Sequence, residues 1–292
     1  MAKALNGFAI DLGGTKLAAA RFEANKLVEK AQMPTKADAP FEDLCAAMAM
    51  LLDQLGFCQG NRLGVALTGR IDQSGHWSAV NGGTLPKIKD IDVRNAFTNM
   101  FGTNLTILND ATAAACGEAH FGAGQGVSAF GYITISTGVG GGIVLNGQPV
   151  TSPNGLAGHI GFMRSPLGNA ECGCGRFGTV ESVAGGRAMA HQAHVAGFEN
   201  LNAKMIFEAY LANEKWATEI ISRAAQAIAI QIADLTSIFG LERVAIGGSI
   251  GLADGFLELI SLSLSKEPDL FQPDVRCAAL GSNSPLFGAL CI

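Results

Sequence analysis

Three glycine-rich stretches of this 292-residue chain carry residue types that suit anion binding. In Asp11-Leu12-Gly13-Gly14-Thr15-Lys16, two glycines stand beside a hydroxyl and an ammonium. Glycine lets backbone N–H groups turn toward an anion with no side chain in the way, and Thr15 and Lys16 add donors. The spacing is not that of a Walker loop, which is followed by a helix; here a strand pattern follows. An ordinary hairpin turn is the competing explanation. A second copy, Ser136-Thr137-Gly138-Val139-Gly140-Gly141-Gly142, weakens that alternative, because two such hairpins could grip one polyphosphate from both sides. The third stretch, Gly247-Gly248-Ser249-Ile250-Gly251, follows a strand and leads into a helix. That is where open α/β sheets hold ligands, and the helix N-terminus could meet a nucleotide there; a lone glycine turn is the plainer reading.

Two further groups could do chemistry. Asn109-Asp110 ends a strand just before a helix. Either residue suits an N-cap, and a carboxylate in that place also suits taking a proton from an attacking hydroxyl. Both roles can hold at once. The run Glu171-Cys172-Gly173-Cys174-Gly175-Arg176-Phe177-Gly178 has two cysteines one residue apart, like half of a metal knuckle.

Regular elements must position these groups. Phe8–Val28 reads strand, glycine turn, strand, a turn at Ala24-Asn25, then a third strand; Gly131–Val150 repeats the pattern, with Asn146-Gly147 as the tight turn. Such a repeat predicts a two-lobed protein built from related halves. Between the copies, Phe41–Leu55 is predicted helical, with Leu44, Met48, Leu51, Leu52 and Leu55 on one face. Leu63–Leu67 and Leu105–Leu108 are predicted strands, and a helix is expected from Ala111 to about His120. Val180–Phe239 reads as helix-rich and Arg243–Ile246 as a strand. The final Ser284–Ile292 starts like a helix, with Ser284 as cap and Pro285 in the first turn. Strands alternating with helices give an α/β class.

Composition narrows the function. Against 20 Lys and Arg stand 25 Asp and Glu, a net charge of −5, with no basic stripe, so a nucleic-acid partner is not expected. Ile220–Phe239 is apolar but carries Arg223, Gln226, Gln231 and Asp234, which favours a core helix over a membrane span. Met1-Ala2-Lys3 runs straight into a strand pattern, so no secretory signal is expected. Seven cysteines, mostly single and in apolar context, suit free thiols in a reducing cytoplasm.

The DLGGTK hairpin, NDA before a helix, STGVGGG, GLAGHIGF, CGCGRFG and VAIGGSIGLADG occur in one order across nearly the whole chain. In this set the chain resembles the ROK family (repressors, open reading frames, kinases) of bacterial sugar kinases. The resemblance implies the two-lobed actin-like, hexokinase-type ATPase fold with duplicated ribonuclease H-like domains. The expected lobes are 1–112, to which the C-terminal helix 284–292 returns, and 113–283. The resemblance also implies ATP and Mg2+ as cofactors, a sugar as small-molecule substrate, and a homodimer through the larger lobe.

Roles follow from it position by position. Asp110 is expected to be the catalytic base at a sugar 6-hydroxyl, with Asp11 near magnesium and phosphates. Gly13, Gly14, Thr15 and Lys16 line one phosphate loop; Thr137, Gly138, Val139, Gly140, Gly141 and Gly142 line the other; Gly247 and Gly248 approach the nucleotide. Gly69, Asn81, Asn109, His159 and Glu181 hold the sugar. Most hexose-specific members carry Glu at the position of His159, whereas members acting on N-acetylmannosamine carry His, so that amino sugar is the expected substrate. A structural histidine bonded to backbone is the other reading of His159. N-acetylglucosamine or glucose as substrate, a helix-turn-helix repressor and a non-catalytic sugar sensor are the alternatives. Against a repressor, the first phosphate hairpin starts by residue 8 and the charge is acidic; against a sensor, Asp11, both glycine loops and Asp110 are intact.

The family's zinc site uses one His and three Cys, at positions that correspond here to Phe162, Cys172, Cys174 and Thr179. Structural zinc takes four protein ligands, usually Cys and His, and a phenyl ring offers none. No zinc is therefore expected. The loop must be held by its own packing, with Phe162 filling the metal's volume, and Glu181 must be positioned without a metal.

Overall fold

The computed structural model describes residues 4–292; the opening Met1-Ala2-Lys3 lies outside the described residues. Strands β1 (Gly7–Leu12), β2 (Lys16–Glu23) and β3 (Lys26–Pro34) form antiparallel hairpins, followed by helix α1 (Phe41–Gln54) and strand β4 (Leu63–Leu67). A small antiparallel sheet of β5 (Arg70–Ile71), β6 (His76–Ser78) and β7 (Ile91–Asp92) precedes α2 (Val93–Phe101) and β8 (Leu105–Asn109). The first large sheet has the order β3-β2-β1-β4-β8, with β1, β4 and β8 parallel.

Helix α3 (Asp110–Phe121) leads into the second large sheet. Its hairpin strands are β9 (Ala129–Ile135), β10 (Val139–Leu145) and β11 (Gln148–Pro149). Helices α4 (Glu181–Ala184), α5 (Gly186–Val195), α6 (Ala203–Leu211) and α7 (Lys215–Phe239) intervene before β12 (Arg243–Gly247). Helices α8 (Gly248–Gly251) and α9 (Phe256–Leu264), strand β13 (Asp274–Cys277) and helix α10 (Ser284–Cys291) complete the chain. The second order, β11-β10-β9-β12-β13, repeats the first, again with two antiparallel pairings and two parallel ones beyond them. The sequence repeat is thus a structural duplication. Both second turns lie where predicted, with positive φ at Ala24 (47°) and Asn25 (67°) and at Asn146 (52°) and Gly147 (78°). That conformation matches the right-handed twist of paired strands.

Period-two burial gives the first sheet two apolar faces. Ile10, Leu12, Leu17 and Val65 pack against Met48 and Leu52 of α1 and Phe97 of α2. On the other face, Ala9, Ala18, Ala20 and Phe22 meet Leu286 and Leu290 of α10. Small residues let that helix approach closely: a Cβ on Gly64 would strike the carbonyl of Ala289, and one on Gly288 the carbonyl of Ala113 in α3. Beneath the second sheet, Ile221, Ile228 and Ile232 of α7 join Ile133, Val244 and Ile246 in one cluster. Among the described residues no helix is long and apolar enough to cross a membrane.

One expected detail is corrected. Ser284 is the first residue of α10, after Asn283, and does not cap it. Lying already inside the helix, its hydroxyl donates to Glu118 Oε1 at 2.7 Å, a charge-assisted acceptor. Glu118 is fully buried and also accepts from the N–H groups of Ala123, Ala279 and Leu280 at 2.8–2.9 Å. It joins α3 to the segment that returns the C-terminal helix. Glu118→Ala leaves these donors unpaired and is expected to lower unfolding stability by about 3 kcal/mol or more. Urea denaturation checks this, and a loss below about 1 kcal/mol contradicts it.

Candidate active site

A cleft of about 270 Å³ lies between the two large sheets. Gly13, Gly14 and Thr15 line one wall, and Ser136, Thr137, Gly138, Val139, Gly140 and Gly141 the other. Each glycine turn is closed by its own backbone bond: the Gly13 N–H donates to the Lys16 carbonyl at 2.9 Å, and the Ser136 N–H to that of Gly138 at 2.9 Å. The two hairpins identified as repeats therefore face one space.

At the cleft floor, Asn109 and Asp110 divide the work that either could do. Asn109 is the N-cap of α3, its Oδ1 accepting from the Thr112 N–H at 3.0 Å. Its Nδ2 donates to the Gly69 carbonyl at 2.9 Å and to Asp110 Oδ1 at 3.0 Å. Gly69 needs its positive φ of 107°, and a Cβ there would lie 2.6 Å from the Ser78 carbonyl oxygen. Relieved of capping, Asp110 presents its carboxyl to the cleft and accepts from the Ala111 N–H at 2.8 Å. Burial pushes its pKa up, while the hydrogen bonds from Ala111, Thr68 and Asn109 pull it back.

His159 lines the same cleft. Both of its ring nitrogens are buried without a hydrogen-bond partner in good geometry, while the backbone of Ala157, Leu156 and Gly69 lies close enough to act on its pKa. Buried polar atoms are nearly always paired in folded proteins, and two on one ring mark a place for ligand atoms. Burial pushes its pKa down, which keeps the imidazole neutral, able to donate from one nitrogen and accept at the other. The Phe162 ring stacks on it, with centroids 5.9 Å apart and an interplanar angle of 24°.

Glu181, the first residue of α4, is held from three directions. Its Oε1 accepts from Asn81 Nδ2 at 2.8 Å and from the Cys172 thiol at 3.4 Å, and its Oε2 accepts from the Val139 N–H at 3.0 Å. A Cβ on Gly138 would collide with Glu181 Oε2, so a side chain there would displace that carboxylate. The Cys172 thiol is pushed up to about 11, chiefly by burial, and keeps its proton near neutral pH.

The knuckle is closed by hydrogen bonds. Cys172 N–H donates to the Arg176 carbonyl at 2.8 Å, and Gly178 N–H to the Ala170 carbonyl at 2.8 Å. Thr179 is fully buried, and its hydroxyl accepts from the Ser182 N–H at 3.1 Å, supporting the start of α4. The donor set does not fit zinc, since Phe162 faces the cleft with a ring and Thr179 and Cys172 are already engaged.

Other expected residues stand outside the cleft wall. Gly142 packs on α3, where a Cβ would come within 2.7 Å of the Ala115 side chain. Gly247 lies against the Tyr132 ring, and Gly248, at φ 84°, against the end of β9. Lys16 opens β2 and faces Asp11, whose carboxyl is buried behind the first glycine turn. Asp11 is pushed up to about 7, first by burial and then by Asp110, with Lys16 and Lys30 opposing. Thr68, Thr84 and Arg187 line the cleft and were not anticipated. Arg187 Nη2 donates to the Gly83 carbonyl at 2.9 Å, and its Nη1 reaches Asn81 Oδ1 and Thr84 Oγ1 at 3.4 Å. Only its place just after Gly185-Gly186 marked it in the sequence.

Two sheets of one topology, each offering a glycine hairpin to a shared cleft above a buried carboxylate, define a duplicated α/β protein, and the chain belongs to the ROK family, whose model matches residues 7–292. The N-acetylmannosamine kinase of Haemophilus influenzae (strain PittEE) is 38% identical over 283 residues, covering 96% of this chain and 93% of the relative. Among solved structures, a ROK hexokinase from Thermus thermophilus superposes with a TM-score of 0.85 at 30% identity, covering 98% of this chain and 97% of that one. A ROK glucokinase from Streptomyces griseus, in complex with glucose and AMPPNP, gives a TM-score of 0.77 at 25% identity, covering 97% of each chain.

Proposed function

We propose that this protein phosphorylates N-acetyl-D-mannosamine at its 6-hydroxyl with ATP, giving N-acetylmannosamine 6-phosphate and ADP. The observation that carries the reading is the pairing, in one cleft, of the Asp110 carboxyl with the unpartnered ring of His159, opposite two glycine turns. The N-acetylmannosamine kinase relative and the AMPPNP-bound glucokinase support the sugar and the nucleotide respectively.

In this reading Asp110 accepts the proton of the 6-hydroxyl as its oxygen attacks the terminal phosphorus, and ADP leaves. Phosphoryl transfer asks little covalent chemistry of a protein, so positioning and charge stabilisation dominate. The turns at Gly13–Thr15 and Thr137–Gly141 cradle the phosphates, and Asn81, Asn109, Gly69, His159 and Glu181 orient the sugar. Lys16, Gly142, Gly247 and Gly248 support these loops or meet the nucleotide from behind the cleft wall. The neighbouring Asp110 raises the cost of ionising Asp11, and two carboxyls so placed are the donor chemistry a divalent cation fits. Magnesium bound there would neutralise charge on the phosphate oxygens.

Residues 1–112 with the returning 284–292, and residues 113–283, would act as the two lobes, with the division in the first turn of α3. Their closure would exclude water from the acceptor hydroxyl. A cytoplasmic homodimer acting in sialic acid degradation completes the reading, and the knuckle works without zinc. The test is ADP release with Mg-ATP and a panel of N-acetylmannosamine, N-acetylglucosamine and glucose. The highest kcat/KM is expected for N-acetylmannosamine; turnover of glucose alone contradicts the choice of sugar.

A further inference from the structure

We infer that Cys172 is a positioning residue for Glu181, its thiol proton replacing a metal as the element that fixes the carboxylate toward the sugar. The inference rests on the kinase reading of the cleft and extends it to the knuckle.

Cys172 is 5% exposed, and its Sγ donates to Glu181 Oε1 at 3.4 Å. The same oxygen takes the Asn81 amide at 2.8 Å. Oε2 takes the Val139 N–H at 3.0 Å. Three segments therefore aim donors at one carboxylate, and only the thiol comes from the knuckle. The knuckle also reaches the Asn81 loop directly, because Gly82 N–H donates to the Gly173 carbonyl at 3.1 Å. A Cβ on Gly173 would strike the Asn81 side chain, so this approach requires glycine. The turn Cys172-Gly173 thus places a donor on Glu181 and an acceptor under the Asn81 loop in two consecutive residues. A carboxylate fixed by donors on chosen lone pairs keeps its remaining lone pairs pointed at the ligand, which is how supporting hydrogen bonds orient a site. A thiol is a weak donor, so the expected effect is modest and specific to the sugar.

The experiment compares wild type, Cys172→Ala and Cys172→Ser. KM for the sugar and for ATP, kcat, melting temperature and bound zinc are measured. Calorimetric Kd is also taken for the sugar that wild type binds most tightly in the panel. Cys172→Ala is expected to raise sugar KM and Kd about 5- to 10-fold, the value of one modest hydrogen bond, with kcat and ATP KM within about 2-fold. Cys172→Ser, which keeps a donor, is expected to recover most of that loss. In an Asn81→Ala background the penalty of Cys172→Ala should grow, since the thiol is then the remaining side-chain donor to Oε1. Unchanged sugar affinity in Cys172→Ala, no recovery in Cys172→Ser, or one equivalent of zinc in wild type overturns the inference. Wild-type turnover of no sugar counts against the kinase reading, whereas the Kd comparison among variants still decides the role of Cys172.

Discussion

Asp110→Asn is expected to lower kcat by about 10²- to 10⁴-fold, the usual contribution of a general base. KM for ATP should stay within a few-fold and the fold should be intact. The geometry separates this loss from a structural one. Asn109, not Asp110, caps α3, so the amide leaves the cap bond to Thr112 in place. An Asn side chain can still accept from the Ala111 N–H through its own oxygen and removes a charge that burial disfavours. What it loses is the ability to take a proton. The same burial predicts the pH dependence. The base must be ionised, and its pKa lies above the ordinary carboxylate value, so kcat/KM should rise with pH along an acid limb displaced upward from that value. Steady-state kinetics across pH, with circular dichroism of the variant, check both statements. Activity within about 10-fold of wild type would remove Asp110 from the role of base.

Asp11→Asn has the second large effect, and it runs in opposite directions for stability and activity. The folded-state pKa of Asp11 is about 7 against 3.8 unfolded. A raised carboxyl contributes stability that is fully present below the unfolded value and lost as pH rises toward the folded one. Across that window the change is on the order of 4 kcal/mol, at about 1.4 kcal/mol for each pH unit. Without nucleotide, wild type should therefore become less stable from about pH 4 to about pH 7 relative to Asp11→Asn, which carries no titrating group there. At pH 8 the variant should melt higher than wild type. It should also lose much of its kcat/KM for Mg-ATP, since the carboxylate is the group that would accompany the cation. Such a trade of stability for function is common at active sites. Melting curves at pH 5 and pH 8 check the sign, and a variant less stable than wild type at pH 8 contradicts it.

Local chemistry made much of this molecule legible. The repeated hairpins announced themselves by alternating apolar residues and by turn residues such as Asn146-Gly147, and both copies formed five-stranded sheets of one order. Asp110 and the two glycine loops stand out in the sequence because proton transfer and anion binding restrict residue type and spacing, and the fold brings them to one cleft. Long-range contacts were not readable. Ser284 looked like a cap because a serine before proline usually is one; the claim on its hydroxyl by Glu118 comes from far along the chain. Arg187 and Thr84 sit in no motif and reach the cleft only because α5 starts beside the Asn81 loop. Gly142 reads as one more glycine in a phosphate loop, whereas strand alternation turns it toward α3. The knuckle showed its missing ligands in the sequence, but the hold of Cys172 on Glu181 needed coordinates.

The most direct test of the account is the identity of the product. Purified protein is incubated with Mg-ATP and carbon-13-labelled N-acetylmannosamine, and the product is read by phosphorus and carbon NMR. One phosphomonoester is expected, its phosphorus coupled to C6 of the intact sugar, formed together with ADP. Phosphate at another hydroxyl, or no phosphorylation of N-acetylmannosamine while glucose is phosphorylated, would contradict it.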